Sequence, residues 1–314
     1  MKIALVFPGQ GSQSLGMMLA YGDSPIVRAT FEEASAALGR DLWAMAVDGP
    51  AEALNQTVNT QPLMLTAGVA VYRLWLDAGG AAPALMAGHS LGEYAALVAA
   101  GVMTLADAVP LVELRAIAMQ EAVPAGEGAM AAVLGLDAQA VKIACAEVMT
   151  GSPGHVVEAV NFNDPKQTVI AGHKTAVEQV AELVKARGAK RALMLPVSAP
   201  FHCSLMQPAA QRLAQRLESV AMVSPTIPVI NNVDVAAIES VDEIRAALVR
   251  QAASPVRWVE TMQAMQAAGI THVLECGPGK VLSGLAKRCS DSLTGVPMND
   301  LASLEAAIVM TRAS

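Results

Sequence analysis

The stretch Gly88-His89-Ser90-Leu91-Gly92 constrains the fold more tightly than any other part of this chain. It fits G-x-S-x-G, the pattern that places a serine on a sharp strand-to-helix turn. The flanks suit that context. Ala84-Leu85-Met86-Ala87 is a short apolar run with the character of a buried strand, and Glu93-Tyr94-Ala95-Ala96-Leu97-Val98 opens a helix. Glycines on both sides permit a tight turn and close approach of neighbouring backbone. A serine at that apex exposes its hydroxyl at a helix N-terminus, where partial positive charge favours a developing anion. Taken alone, the pattern is equally compatible with a Gly-Ser turn that does no chemistry.

A strand–turn–helix unit needs further strands to build a sheet, and the chain supplies them. Ile3-Ala4-Leu5-Val6-Phe7 is a continuous apolar run, the pattern of a strand covered on both faces. It runs into the glycine-rich loop Pro8-Gly9-Gln10-Gly11-Ser12-Gln13, which lacks a full dinucleotide fingerprint because Ser14 breaks the spacing. That loop is either a plain connection or a source of backbone N–H groups facing the serine turn. Helical periodicity covers Pro25 to Leu38, Leu63 to Ala78 (entered through Thr60-Gln61-Pro62) and Leu105 to Ala122, with Pro124 stopping the last.

Between residues 126 and 196 the pattern changes. Strands are expected at Met130 to Leu134, Val156 to Phe162, Gln167 to Ala171 and Arg191 to Leu195, with helices at Asp137 to Met149 and Lys174 to Arg187. This β-α-β-β-α-β order is the ferredoxin-like arrangement. Beyond it come helices at Met206 to Val220, Val241 to Gln251 and Val256 to Ala268, strands at Ile227 to Asn231 and Thr271 to Cys276, and a final helix after Gly277-Pro278-Gly279-Lys280. The fold class expected is α/β: a mostly parallel sheet with flanking helices, α/β-hydrolase-like, formed by residues 1–125 and 197–314, plus an inserted ferredoxin-like subdomain at 126–196.

Composition narrows the function. The chain of 314 residues is 54% hydrophobic and only 16% charged, enough apolar material for a sizeable core. A formal charge of −7 argues against binding nucleic acid by phosphate neutralisation. Mean hydropathy is high at +0.42. The longest central apolar run, Tyr94 to Ala106, is nevertheless interrupted by Gly101 and Thr104 and too short to span a bilayer. The apolar run from Ile3 to Phe7 is too short for a signal-peptide core, so no membrane association and a cytoplasmic location are expected. Cys145, Cys203, Cys276 and Cys289 form no C-x-x-C pair, and with the five histidines they offer no metal spacing. No metal or cofactor is expected.

A serine nucleophile needs a base and oxyanion donors. His89 adjoins the serine, where its place on the turn makes reach to the hydroxyl awkward; His155, His173 and His272 fall in or beside ordinary elements. His202 sits between the extended Val197-Ser198-Ala199-Pro200-Phe201 and a helix, where loops present catalytic side chains; it is either the base or a plain helix-entry histidine. Arg115 lies among Val112, Leu114, Ile117 and Met119, and burying it there is costly unless it meets an anion. The plain alternative is a side chain that snorkels to solvent.

Several segments together are more specific. Phe7-Pro8-Gly9-Gln10-Gly11-Ser12-Gln13, Gly88-His89-Ser90-Leu91-Gly92-Glu93-Tyr94, Arg115 with Ala118-Met119-Gln120, Asn161-Phe162-Asn163, Pro200-Phe201-His202 and Glu275-Cys276-Gly277-Pro278-Gly279-Lys280 occur in this order. From about residue 3 to about residue 290 the chain resembles the malonyl-CoA:acyl-carrier-protein transacylases of type II fatty acid synthesis. The resemblance implies that Ser90 attacks the malonyl thioester and His202 takes and returns the proton. It implies that a backbone carbonyl at Gln251 orients His202 in place of an acid, and that the N–H groups of Gln10 and Leu91 hold the oxyanion. Arg115 would pair with the malonyl carboxylate, Phe201 and Met119 would shape the acyl site, and Asn161 would line the cleft or merely form a turn. The implied partners are malonyl-CoA and a phosphopantetheinylated acyl carrier protein, met as a monomer, with Lys190 and Arg191 as candidate carrier contacts.

Two rivals stand beside this reading. A serine thioesterase of the α/β-hydrolase type wants an acid between serine and histidine, and Asp107, Asp137 and Asp164 all occupy capping or turn positions. Such an enzyme also gives Arg115 no task. A non-catalytic carrier-binding scaffold would not need the serine, histidine and arginine together.

Overall fold

The computed structural model describes residues 1–312. Its larger sheet has five parallel strands in the order β7-β2-β1-β8-β9: β1 (Ile3–Phe7), β2 (Leu85–Gly88), β7 (Val229–Ile230), β8 (His272–Glu275) and β9 (Thr294–Pro297). All five residues of β1 are buried, which is why that strand reads as an unbroken apolar run at the sheet's centre. A smaller antiparallel sheet runs β4-β5-β3-β6, from β3 (Gly128–Leu134), β4 (Val157–Asp164), β5 (Gln167–His173) and β6 (Arg191–Met194).

The smaller sheet is covered on both faces. On β3, Ala129, Ala131 and Val133 pack with Val141, Ala144, Val177 and Val180 of the helices Ala138–Gly151 and Lys174–Ala186. The alternate residues Met130 and Ala132 pack into the main core with Met119 and Phe201. A sheet buried on both faces is thus gripped between its own helices and the larger body. The element order is the expected ferredoxin-like one, and the α/β class with its inserted antiparallel unit is what the chain adopts.

Local chemistry sets the helix ends. Ser24, Thr104, Asp137 and Ser240 each accept a backbone N–H at the start of a helix, and Thr104 and Asp107 bond reciprocally before Leu105–Glu121. In two places the sequence reading fails. The helix expected from Leu63 begins at Thr57, with Pro62 inside it. Proline removes the bond to the carbonyl four residues back, that of Val58, and Arg40 Nη2 donates to that oxygen at 3.3 Å. The helix expected from Val256 begins at Trp258. Val256 is instead extended, accepting from Phe162 N at 3.0 Å and donating to Val160 O at 2.8 Å, which ties β4 to the larger body. The edge strand β9, the helix Leu301–Arg312 and the short helices Leu42–Val47 and Ala51–Leu54 carried no readable signal.

Candidate active site

Three neighbouring parallel strands deliver polar residues to one edge. Gln10 follows β1, Ser90 follows β2 and Asn232 follows β7, all at carboxyl ends, where open α/β sheets bind ligands. The turn after β2 is forced by its glycines. A Cβ on Gly88 would lie 1.9 Å from the Gly92 carbonyl carbon, and one on Gly92 would lie 2.0 Å from the Phe7 carbonyl oxygen. Ser90 is left at φ 52°, a left-handed conformation that costs a non-glycine residue about 1–3 kcal/mol and persists only where its surroundings hold it.

Here the surroundings are specific. Asn232 Oδ1 accepts from Ser90 N at 2.7 Å, and Asn232 Nδ2 donates to Gly88 O at 2.7 Å, so one buried amide clamps both sides of the turn. His202 also has a left-handed backbone, φ 68°. Its Nε2 lies 2.6 Å from Ser90 Oγ, and its Nδ1 lies 2.9 Å from the backbone oxygen of Gln251. A carbonyl only accepts, so Nδ1 must carry the proton and Nε2 must be the bare nitrogen that accepts from the serine hydroxyl. That carbonyl belongs to the last turn of helix Val241–Ala252, where such groups lack full intrahelical partners and carry partial negative charge. No carboxylate contacts the ring among the described residues.

Arg115 is not a snorkelling side chain. It is 2% exposed, in the middle of helix Leu105–Glu121, and aims into the cleft. Nη1 donates to Gln61 Oε1 at 2.7 Å, while Nη2 donates to Gln251 Oε1 at 2.9 Å and to Ser90 Oγ at 3.2 Å; Nε finds no partner. Its Cζ stands 5.4 Å from the Tyr94 ring centroid. None of these partners is an anion, so the buried charge is only partly compensated and favours an incoming carboxylate. Gln61 Nε2 donates to Thr57 Oγ1, which donates to Gln10 Oε1 at 2.9 Å. The loop after β1 is thereby tied to the arginine.

Electrostatics follow from this burial. Desolvation first, and the Arg115 charge second, lower the His202 pKa from 6.5 to about 3, so the ring is neutral and able to act as a base. His89 turns away from the serine: Nε2 meets Asn163 Oδ1 at 2.8 Å, and the ring packs on Trp258. Cys203 is buried, its thiol donating to Pro200 O, and takes no part in the site. Gln10, Leu91, Met119, Asn161 and Phe201 line the same cleft as Ser90, His202 and Arg115, with about 580 Å³ of empty space. Asn161 Oδ1 is buried there without a partner. Among the described residues no group of side chains can hold a metal ion.

Gln61, Asn232 and the carboxylate of Glu93 were not singled out from sequence. The only signal they gave was position: a polar residue after a strand end (Asn232) or within an otherwise apolar helix run (Gln61, Glu93). Asp107, Asp137 and Asp164, the acids a hydrolase would draw on, cap helices or, for Asp164, pair with Arg288 at 2.8 Å.

A serine, a neutral histidine and a buried, unpaired arginine around one cleft define an acyltransferase. The chain belongs to the acyl transferase domain family, whose model matches residues 4–305. It is 56% identical over 308 residues to the malonyl CoA-acyl carrier protein transacylase of Escherichia coli (strain K12), covering 98% of this chain and 99% of that one. Identity to the enzyme of the same name from Bacillus subtilis (strain 168) is 44%, covering 98% and 96%. Among solved structures, the acyl-carrier-protein S-malonyltransferase of Burkholderia pseudomallei 1710b superposes with a TM-score of 0.96 at 57% identity, over 98% of this chain and all of that one. A malonyl-transacylase solved in complex with its type II PKS acyl-carrier protein gives 0.96 at 53%, over 99% and 100%.

Proposed function

We propose that this chain moves a malonyl group from malonyl-CoA to the phosphopantetheine thiol of an acyl carrier protein through an ester on Ser90. The observation that carries the reading is Arg115: a buried guanidinium 3.2 Å from Ser90 Oγ, with neutral hydrogen-bond acceptors around it and no carboxylate in contact among the described residues.

Ser90 Oγ attacks the thioester carbonyl while its proton passes to His202 Nε2, and the Gln251 carbonyl stabilises the imidazolium that forms. The N–H groups of Gln10 and Leu91 receive the oxyanion, each such donor contributing about 3 kcal/mol. Collapse of the tetrahedral adduct expels coenzyme A, which takes the proton from His202. The carrier thiol then enters and attacks the ester as its proton passes to the same nitrogen; the bond to Ser90 Oγ breaks, Oγ takes that proton back, and the malonyl group leaves on the carrier. Throughout, Arg115 holds the distal carboxylate, which also offsets the positive charge that depresses His202, so substrate binding makes the base stronger. Phe201 and Met119 bound the acyl pocket, and the unpartnered Asn161 Oδ1 offers an acceptor to the incoming thioester arm.

A cytoplasmic location is part of this proposal; among the described residues no helix is long and apolar enough to cross a membrane. A monomer, Lys190 and Arg191 as carrier contacts, no nucleic-acid partner, and domain limits at 125–126 and 196–197 belong to the same proposal; Arg191 is exposed on the edge strand β6.

Incubation with malonyl-CoA, followed by mass spectrometry of the intact protein and its peptides, tests the reading. One malonyl group on Ser90, discharged by a holo carrier protein and absent from Ser90→Ala, is expected. No adduct, or hydrolysis at a rate independent of the carrier, overturns it.

A further inference from the structure

Glu93 is 2% exposed and does not reach substrate space, yet a single oxygen of it meets two parts of the site. Oε2 accepts from the backbone N of Asn232 and from Gln251 Nε2, each at 2.9 Å. On its other side it faces the apolar Leu97, Val229, Ile238, Ile244 and Ala247, with Asn231. An acid so surrounded is expensive to bury, and nothing in the reaction uses it directly.

Resting on the acyltransferase reading above, we propose that Glu93 is the positioning residue that fixes the orientation of the Gln251 amide and the Asn232 segment, and so aligns the arginine and the nucleophile together. The reason is donor and acceptor geometry. Gln251 Nε2 uses both hydrogens, one on Glu93 Oε2 and one on the Ser90 carbonyl at 3.0 Å, which leaves Oε1 facing Arg115 Nη2. A flipped amide would set its NH2 group against the guanidinium and its oxygen against the carboxylate, opposing like partners at both ends. Glu93 excludes that arrangement. Its second bond holds Asn232, whose side chain clamps Ser90 in its left-handed backbone. The carboxylate thus acts through other residues on the Arg115 head group and the Ser90 turn.

The role depends on an acceptor at the right place rather than on charge. Burial raises the Glu93 pKa from 4.5 to about 7, so near neutrality the site already tolerates the uncharged form. Glutamine at 93 can put its own oxygen at the Oε2 position, whereas aspartate keeps the charge but withdraws the oxygen by a methylene.

The test is single-turnover formation of the malonyl-Ser90 ester, with the labelled fraction counted by mass spectrometry and the rate taken per labelled site, for malonyl-CoA and acetyl-CoA. Glu93→Asp should slow malonylation about 100-fold per site, the scale of an ångström-sized misplacement, and narrow the malonyl preference. Glu93→Gln should stay within about tenfold of wild type with the preference kept, the cost of a neutral for a charged acceptor. The role is overturned if aspartate matches wild type in rate and preference, if glutamine is as slow as aspartate, or if both lower only the labelled fraction, as a purely structural residue would. No adduct on the wild-type chain would instead overturn the transferase reading underneath.

Discussion

Ser90, His202 and Arg115 form a set in which each member sets the state of another. Arg115→Ala should abolish discrimination between malonyl and acetyl thioesters, with a loss on malonyl-CoA of about 10²-fold or more in kcat/KM, because a carboxylate would then be buried without its partner. Competition between the two thioesters reads this directly. The same substitution removes a cation that depresses the His202 pKa, which should rise in the free protein, visible in an NMR titration of the imidazole. His202 also links the site to stability. With its pKa near 3 when folded against 6.5 when exposed, the unfolded chain takes up the proton first. The stability that depends on this ring is whole above pH 6.5 and is lost as pH falls towards 3, by at most about 1.4 kcal/mol per pH unit. Glu93 runs the opposite way, favouring the folded state below 4.5 and losing that contribution as pH rises to about 7. His202→Gln should therefore gain thermal stability relative to wild type at pH 5 and not at pH 8, as calorimetry at both values would show.

At the scale of elements, the strand–turn–helix from Leu85 to Ala99 holds Ser90 because two glycines let backbone pack on backbone. Gly92→Ala would place a methyl 2.0 Å from the Phe7 carbonyl oxygen, backbone that cannot swing aside. The expected result is a loss of about 3 kcal/mol or more in denaturant unfolding, or failure to accumulate folded protein. This element was legible in the sequence, since its glycine spacing states the turn. The start of Thr57–Asp77 was not: Pro62 is tolerated only because Arg40, distant in sequence, takes up the carbonyl that proline leaves free. Asn232 was missed for a similar reason. Its strand was read, but nothing near Asn232 in the chain tells that its side chain clamps a turn 142 residues away.

At the scale of the whole molecule, the cleft lies where the smaller sheet meets the end of the larger one. Met130 and Phe201 pack in the same core as Met119 and Leu91, so the two bodies share one apolar interior. Extended Val256 fastens β4, and with it Asn161, to the larger body. Val256→Pro would delete the hydrogen bond to Val160 O without charging the core. Faster amide exchange along β4 is expected, together with a rise in KM for malonyl-CoA that exceeds the fall in kcat; equal exchange would show that the tether does not hold the sheet.

Sequence by itself determined the class of fold, the serine turn and, through resemblance, the residues placed around it. Those signals are local: an apolar run buried on both faces, helical periodicity, glycines where side chains cannot fit, capping residues at helix starts. Tertiary structure alone decided that Arg115 is buried rather than snorkelling, that the His202 ring is neutral with its proton on Nδ1, and that Glu93, the Gln251 amide and Asn232 converge behind Ser90. Burial, tautomer and pKa depend on which distant segments meet, and contacts spanning more than a hundred residues leave no period in the chain.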